Sequence, residues 1–419
     1  MILVVLGTWI GFAAALVGLI GVTLIRGWGA MGGVAGFIPF SVTASFSLSV
    51  IPLFILMGYF AFYAGLTRDL FSTARSWFGH FPGGLAIATT FGSAGFAACS
   101  GSSTAAAAVM GKVAIPEMLR YNYDSKLAAG SVACSGTIAS MIPPSVVMVI
   151  YGIITEQSVG TLLIAGLLPG ILEAVLYSGM IYVRCRINPS LGGALPKSSW
   201  MERILSLRGI WGMVVLMVII LGGLYMGVFT PTEAGGIGAF GALLMAVGLR
   251  RLSFAQMKES LLETGKTTAM IFATVVGVLV MLRFFALSGV TGAFIDVMLN
   301  APWPPLAILS FILFIYLILG MFVSAIGMLM LTLPLVFPVV VGLGYDPIWF
   351  GIIAVRMAEI AFITPPVGIN VYAVKSVVSG ITVEDIFKGT FWFLGMDIFN
   401  LVLLIAFPVI ALWLPSMMR

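Results

Sequence analysis

The sequence predicts an all-α polytopic membrane protein. Its predicted architecture is two inverted repeats, each holding a re-entrant helical hairpin and a helix broken at Pro-Pro. Three observations carry this. Apolar runs near the roughly 20 residues needed to cross a bilayer recur from end to end. Two strings match each other, Ala139-Ser140-Met141-Ile142-Pro143-Pro144-Ser145 and Ala361-Phe362-Ile363-Thr364-Pro365-Pro366-Val367. Further pairs keep nearly the same spacing: Ala64-Gly65-Leu66-Thr67 with Ser288-Gly289-Val290-Thr291, Leu85-Ala86-Ile87 with Leu306-Ala307-Ile308, and Pro116 with Pro338. Ordered self-similarity at a fixed offset is the signature of an internal repeat.

The composition restricts the class. Hydrophobic residues make up 61% of the chain and charged residues 8%, and mean hydropathy is +1.17, far from soluble averages. With 419 residues this reads as one polytopic unit, not an anchor on a soluble domain. The first run, Met1–Ile25, lacks a basic leader and a small-residue cleavage site, so it reads as a retained helix. The net charge of +5 is assigned to loops that set orientation, and no nucleic-acid partner is expected. Cys99, Cys134 and Cys185 show no metal spacing and read as small hydrophobes.

In chain order, residues 1–82 read as scaffold helices of the first repeat. Residues 83–183 read as the first hairpin and broken helix of a transport domain. Residues 184–302 read as scaffold helices with cytoplasmic loops, and 303–419 as the second hairpin and broken helix. The first hairpin spans roughly 83–117, with a small polar tip at Cys99-Ser100-Gly101-Ser102-Ser103-Thr104. Each arm has about 16 residues, or roughly 24 Å, short of a ~30 Å hydrocarbon core. Polar loop oxygens in such a tip suit a hard cation, while small residues there equally suit helix packing. The second hairpin spans about 304–338, with a less polar tip at Phe322-Val323-Ser324-Ala325-Ile326-Gly327. Each double proline removes backbone donors and frees the carbonyls before it. Lipid cannot satisfy those carbonyls, so they face protein, water or a ligand. Such broken helices in corresponding places point to a binding site.

Basic residues set the expected orientation. Arg184, Arg186, Lys197, Arg203 and Arg208 crowd one polar segment, and Arg250, Arg251, Lys258 and Lys266 another; both are expected on the cytoplasmic side. Two spans, roughly 210–228 and 234–249, run between them and turn at Thr230-Pro231-Thr232-Glu233, where Glu233 reads as a helix N-terminal residue. The helices near 48–66 and 268–288 then run in opposite directions, which makes the repeats inverted. The N-terminus is expected inside and the C-terminus outside.

Several strings together resemble a known family. Gly101-Ser102-Ser103, Ile142-Pro143-Pro144-Ser145, Thr230-Pro231-Thr232-Glu233-Ala234 and Thr364-Pro365-Pro366-Val367-Gly368 are similar to the large membrane subunit of tripartite ATP-independent periplasmic (TRAP) transporters, the DctM-like family. Phe81-Pro82-Gly83-Gly84-Leu85-Ala86 and Ala165-Gly166-Leu167-Leu168-Pro169-Gly170 fit the same pattern. The resemblance covers essentially the whole chain. It implies a sodium-driven secondary transporter of the ion-transporter superfamily, in the bacterial inner membrane, working by an elevator mechanism. It implies two partners: a small four-helix membrane subunit (DctQ-like) and a periplasmic substrate-binding protein (DctP-like). An organic acid is the implied solute, with sodium as coupling ion and no other cofactor. One sodium site would lie between the first tip (Ser100, Ser102, Ser103) and the first break (Gly136, Thr137, Ile142, Pro143). A second would lie between the second tip (Ser324, Gly327) and the second break (Ala361, Thr364, Pro365). The run Gly320-Met321-Phe322-Val323-Ser324 departs from relatives that carry an acid just after that glycine, which leaves the completion of the second site open.

Arg356 is a charge inside a span, and such residues are costly and default to function. Its guanidinium could grip a solute carboxylate as a bidentate pair, or pair with Glu359 three residues on. Asn370, just past the second break, either satisfies freed carbonyls or touches solute, and Ser103 is the third candidate for solute contact. Two other classes stay in view. A stand-alone sodium/anion symporter of the same superfamily would need no partner subunits. An intramembrane serine hydrolase would need a base beside Ser102, yet the only histidine, His80, sits in a polar segment near Arg75. The chain is therefore not expected to be an enzyme.

Overall fold

The computed structural model describes residues 8–418, which are helical with no strand among them. The helices in chain order begin with α1 (Ile10–Thr43), α2 (Val50–Tyr63) and α3 (Leu66–Phe78). The first hairpin and broken helix follow as α4 (Gly84–Ser100), α5 (Ser103–Arg120), α6 (Ser125–Ser135) and α7 (Val146–Thr155). Then come α8 (Val159–Ile187), α9 (Trp200–Leu207), α10 (Trp211–Tyr225), α11 (Pro231–Gly248), α12 (Phe254–Ser288) and α13 (Val290–Leu299). The C-terminal part holds α14 (Pro305–Phe322), α15 (Ala325–Gly342), α16 (Pro347–Ile363), α17 (Ile369–Lys375), α18 (Val383–Ala406) and α19 (Val409–Ser416). Seven of these are long and apolar enough to cross a membrane, or eight if the bent pair α9–α10 counts as one span.

The longest helices form one close pair. α1 and α12 have 34 and 35 residues and meet at glycines. A Cβ on Gly277 would lie 1.8 Å from Gly11 O, and one on Gly11 would lie 2.7 Å from the Thr274 Cα. Small residues permit this backbone contact, the usual way apolar helices associate where lipid removes the hydrophobic driving force. The first span differs from the expected Met1–Ile25. The described helix starts at Ile10 and continues to Thr43 through a kink at Gly27, whose φ is +80°. Residues 1–7 lie outside the described part.

Both turns fall inside the expected hairpin tips. α4 ends at Gly101, in the left-handed region at φ +57°, and Ser102 caps α5 by accepting from Ala105 N at 3.4 Å. In the second hairpin Ser324 caps α15 by accepting from Gly327 N at 3.2 Å. Both turns thus use a serine at the N-cap, where its oxygen satisfies an orphan amide. The four arms have 17, 18, 18 and 18 residues, slightly more than expected. At 1.5 Å per residue, 18 residues reach about 27 Å, and α14 and α15 each pass as spans by length and apolarity.

The expected break in each proline helix is present. α6 tightens into a 3-10 turn over Gly136–Ser140, and the chain resumes as α7 after Pro143-Pro144. α16 stops at Ile363 and α17 begins at Ile369 after Pro365-Pro366; both Pro-Pro bonds are cis. At the loop end, Arg251 pairs with Asp69 and donates to Ala64 O at 3.3 Å, tying the polar segment after α11 to the start of α3. Thr230 and Glu233 form a reciprocal capping box at the start of α11, so Glu233 is a helix-capping residue as expected.

Candidate functional site

A cavity of about 790 Å³ lies where the two hairpin tips, the two breaks, α2 and α12 converge, within the size range of small-molecule sites. The first tip contributes Ser102, Ser103 and Thr104, the first break Ser140, the second tip Ser324, and α16 Glu359. Tyr59 and Phe62 of α2 and Thr267 and Thr274 of α12 close the opposite wall. No Lys or Arg lines it among the described residues.

The first tip and the first break are in direct backbone contact. A Cβ on Gly101 would lie 2.5 Å from Pro144 O, and one on Gly136 would lie 2.8 Å from Ser103 O. Gly101 is also left-handed, so two constraints meet at this residue. Ser103 is buried; its hydroxyl donates to Glu359 Oε2 at 2.5 Å and lies 2.8 Å from Ser140 Oγ. Ile142 and Pro143 are buried in the break. The Ser100 side chain lies outside the described residues. Thr137 is at the break as expected, and its hydroxyl lies 2.6 Å from Cys134 O and 2.7 Å from Glu173 Oε1.

The second half is looser. Gly320 of α14 packs on Ala361, where a Cβ would meet the Ala361 Cβ at 2.6 Å. Gly327 instead faces Ile10 of α1. Thr364 Oγ1 donates to Ile360 O at 2.6 Å, within its own helix end, and Pro365 is exposed where Pro143 is buried. Of this expected set, Ser324 lines the cavity, while Ala361 packs on Gly320, just before the second tip.

Arg356 neither pairs with Glu359 nor lines the cavity, the two readings that its sequence context left open. It is fully buried and pairs with Glu173 of α8 at 2.5 Å and with Asp397 of α18. Tyr177 also donates to Asp397. The physical reason is charge balance: two carboxylates from neighbouring helices meet the guanidinium, whereas Glu359 finds hydroxyl donors on the cavity side. Arg356 is absent from the cavity lining. Asn370 Nδ2 donates to Ala133 O at 3.2 Å, one of the carbonyls just before the first break. Glu173 and Asp397 are site residues that sequence reasoning passed over. Both are acids inside apolar helices, and the rule that flags Arg356 flags them equally. Cys134 and Cys185 are buried and unbonded, as small hydrophobes.

A multi-pass helical bundle closing a solute-sized cavity between broken helices has the architecture of a membrane permease. More specifically, the chain belongs to the DctM family. The family model described as "Tripartite ATP-independent periplasmic transporter, DctM component" matches residues 1–410. The chain is 36% identical over 382 residues to the C4-dicarboxylate TRAP transporter large permease protein DctM of Pseudomonas aeruginosa, covering 90% of this chain and 88% of that one. It is 33% identical over 374 residues to the sialic acid TRAP transporter large permease protein SiaM of Vibrio cholerae, covering 89% and 87%. In fold it is similar to the Alcanivorax borkumensis YdaH transporter, with a TM-score of 0.61 at 13% identity over 97% of this chain and 98% of that one. The protein is thus a TRAP large permease, a multi-pass protein of the bacterial inner membrane.

Proposed function

We propose that this permease imports an organic acid in symport with sodium. A periplasmic binding protein delivers the solute, a small helical membrane subunit supports the scaffold, and an elevator movement carries hairpins and broken helices across. The observation that carries this reading is the cavity at the convergence of both tips and the first break, lined by the hydroxyl residues Ser102, Ser103, Thr104 and Ser140. Oxygen-only donors suit a hard cation, and a cation there offsets the charge of an anion bound beside it. Two relatives, a C4-dicarboxylate and a sialic acid permease, support an organic acid as solute. Carboxylate recognition here falls to sodium and to hydroxyl and amide donors, because the cavity offers no guanidinium or ammonium among its described residues.

The test is uptake in proteoliposomes holding the chain with its small subunit. Saturable uptake is expected only with the binding protein outside and an inward sodium gradient. Equal uptake driven by a proton gradient without sodium contradicts the coupling. Saturable uptake by this chain alone contradicts the partners and makes it a stand-alone symporter.

A further inference from the structure

Three carboxylates and one guanidinium are fully buried within the described apolar helices: Glu173, Glu359, Asp397 and Arg356. Arg356 serves Glu173 and Asp397, which leaves Glu359 with no cationic partner. Its Oε2 accepts from Ser103, and its Oε1 has no partner among the described residues. A buried carboxyl without a cationic partner is strongly unfavourable as the anion and holds a proton until a cation replaces it, and Glu359 lies in the cavity wall.

We propose that Glu359 is the anionic ligand of a sodium site, completed by the Ser103 and Ser140 hydroxyls. The assignment rests on the sodium-coupled reading above. The three residues come from three elements: the first tip, the first break, and the helix that precedes the second break. Ser103 Oγ lies 2.5 Å from Glu359 Oε2 and 2.8 Å from Ser140 Oγ, so one hydroxyl joins the other two groups and all three oxygens can turn toward one small cation. A carboxylate with two hydroxyls is a hard, oxygen-only donor set, and its single negative charge matches a monovalent ion. Because Ser103 and Ser140 lie in one half of the chain and Glu359 in the other, the bound ion links the two halves at the cavity wall. Sodium then stabilises the folded assembly by binding it and not the unfolded chain.

The full-length chain in lipid nanodiscs tests this without solute or transport. Its thermal unfolding midpoint is followed while sodium chloride replaces choline chloride at constant ionic strength. The unsubstituted chain is expected to gain stability with sodium. Glu359→Gln is expected to need at least tenfold more sodium for the half-maximal shift. In choline alone it is expected to unfold at about the parent's temperature, because the amide replaces a protonated carboxyl of the same shape. A merely structural glutamate would instead lower the choline midpoint and leave the sodium titration in place. Ser140→Ala, which keeps the charge, is expected to shift the sodium titration less, and covers the case in which Glu359→Gln does not fold. An unchanged sodium titration in both variants overturns the assignment while leaving sodium coupling intact. No sodium response in the unsubstituted chain overturns both. Methylammonium chloride matching sodium in the parent, with loss in Glu359→Gln, also overturns it by making Glu359 a seat for a solute nitrogen.

Discussion

Asn370 Nδ2 donates to Ala133 O at 3.2 Å across 237 residues of sequence. The residue that follows the second break thus satisfies a carbonyl that precedes the first, and both groups are buried. One buried hydrogen bond joins the segment after the second break to the helix that leads into the first.

Asn370→Leu leaves the Ala133 carbonyl without this donor. Truncating one partner of a buried bond costs about 1–3 kcal/mol, so thermal unfolding is expected to move down accordingly. The sodium titration is expected to stay in place, since Asn370 does not line the cavity. A shifted titration with unchanged stability would assign Asn370 to the binding site instead.

Arg356→Ala strands Glu173 and Asp397 together in the bundle. Removing one partner of a buried ion pair costs about 3–5 kcal/mol, so loss of folded protein is expected. The triple change Arg356→Gln, Glu173→Gln, Asp397→Asn is expected to recover most of that stability. The pair Arg356→Gln with Glu359→Gln is not, because Glu359 is no partner of the arginine. Recovery in that pair, read by thermal unfolding, would contradict the network.

How much was legible in the sequence follows from where each signal lives. The tips at 101–102 and 323–324 and the breaks at both Pro-Pro pairs were legible because glycine, serine and proline act on their own backbone. The partners of Arg356 were not. Glu359, three residues away, is near in sequence, but the carboxylates that meet the guanidinium come from α8 and α18, set by tertiary packing. Thr137 illustrates the same limit: its place at the break was legible, while the direction of its hydroxyl depends on Glu173 of another helix. Ser140, inside the first matched string, gains its meaning only from Ser103 across the interface.

Ser102 and Ser103 are adjacent yet do different work. Ser102 caps α5, so Ser102→Ala is expected to cost about 0.5–2 kcal/mol of stability, and Ser102→Asp to retain the cap. Ser103 faces Glu359 and Ser140, so Ser103→Ala is expected to raise the sodium concentration needed for half-maximal uptake. Sodium titrations unchanged from the parent in both alanine variants would return this tip to a helix-packing role.

Gly277→Ala places a methyl against Gly11 O, at a contact with no flexible side chain to yield. Overpacking typically costs about 1–3 kcal/mol, and the α1–α12 pair is expected to separate and lower the unfolding temperature. Gly265→Ala, where nothing lies within 4 Å of the added carbon, serves as the neutral control on the same helix. Equal midpoints for the two variants would contradict the close crossing.

The central claim is that sodium travels with the solute through the cavity between the tips. Radioactive sodium flux into proteoliposomes, driven by an outward-to-inward gradient of binding-protein-delivered organic acid and with no sodium gradient imposed, measures it directly. The account expects sodium to accumulate inside in fixed proportion to the acid. Acid entry with no accompanying sodium would contradict it.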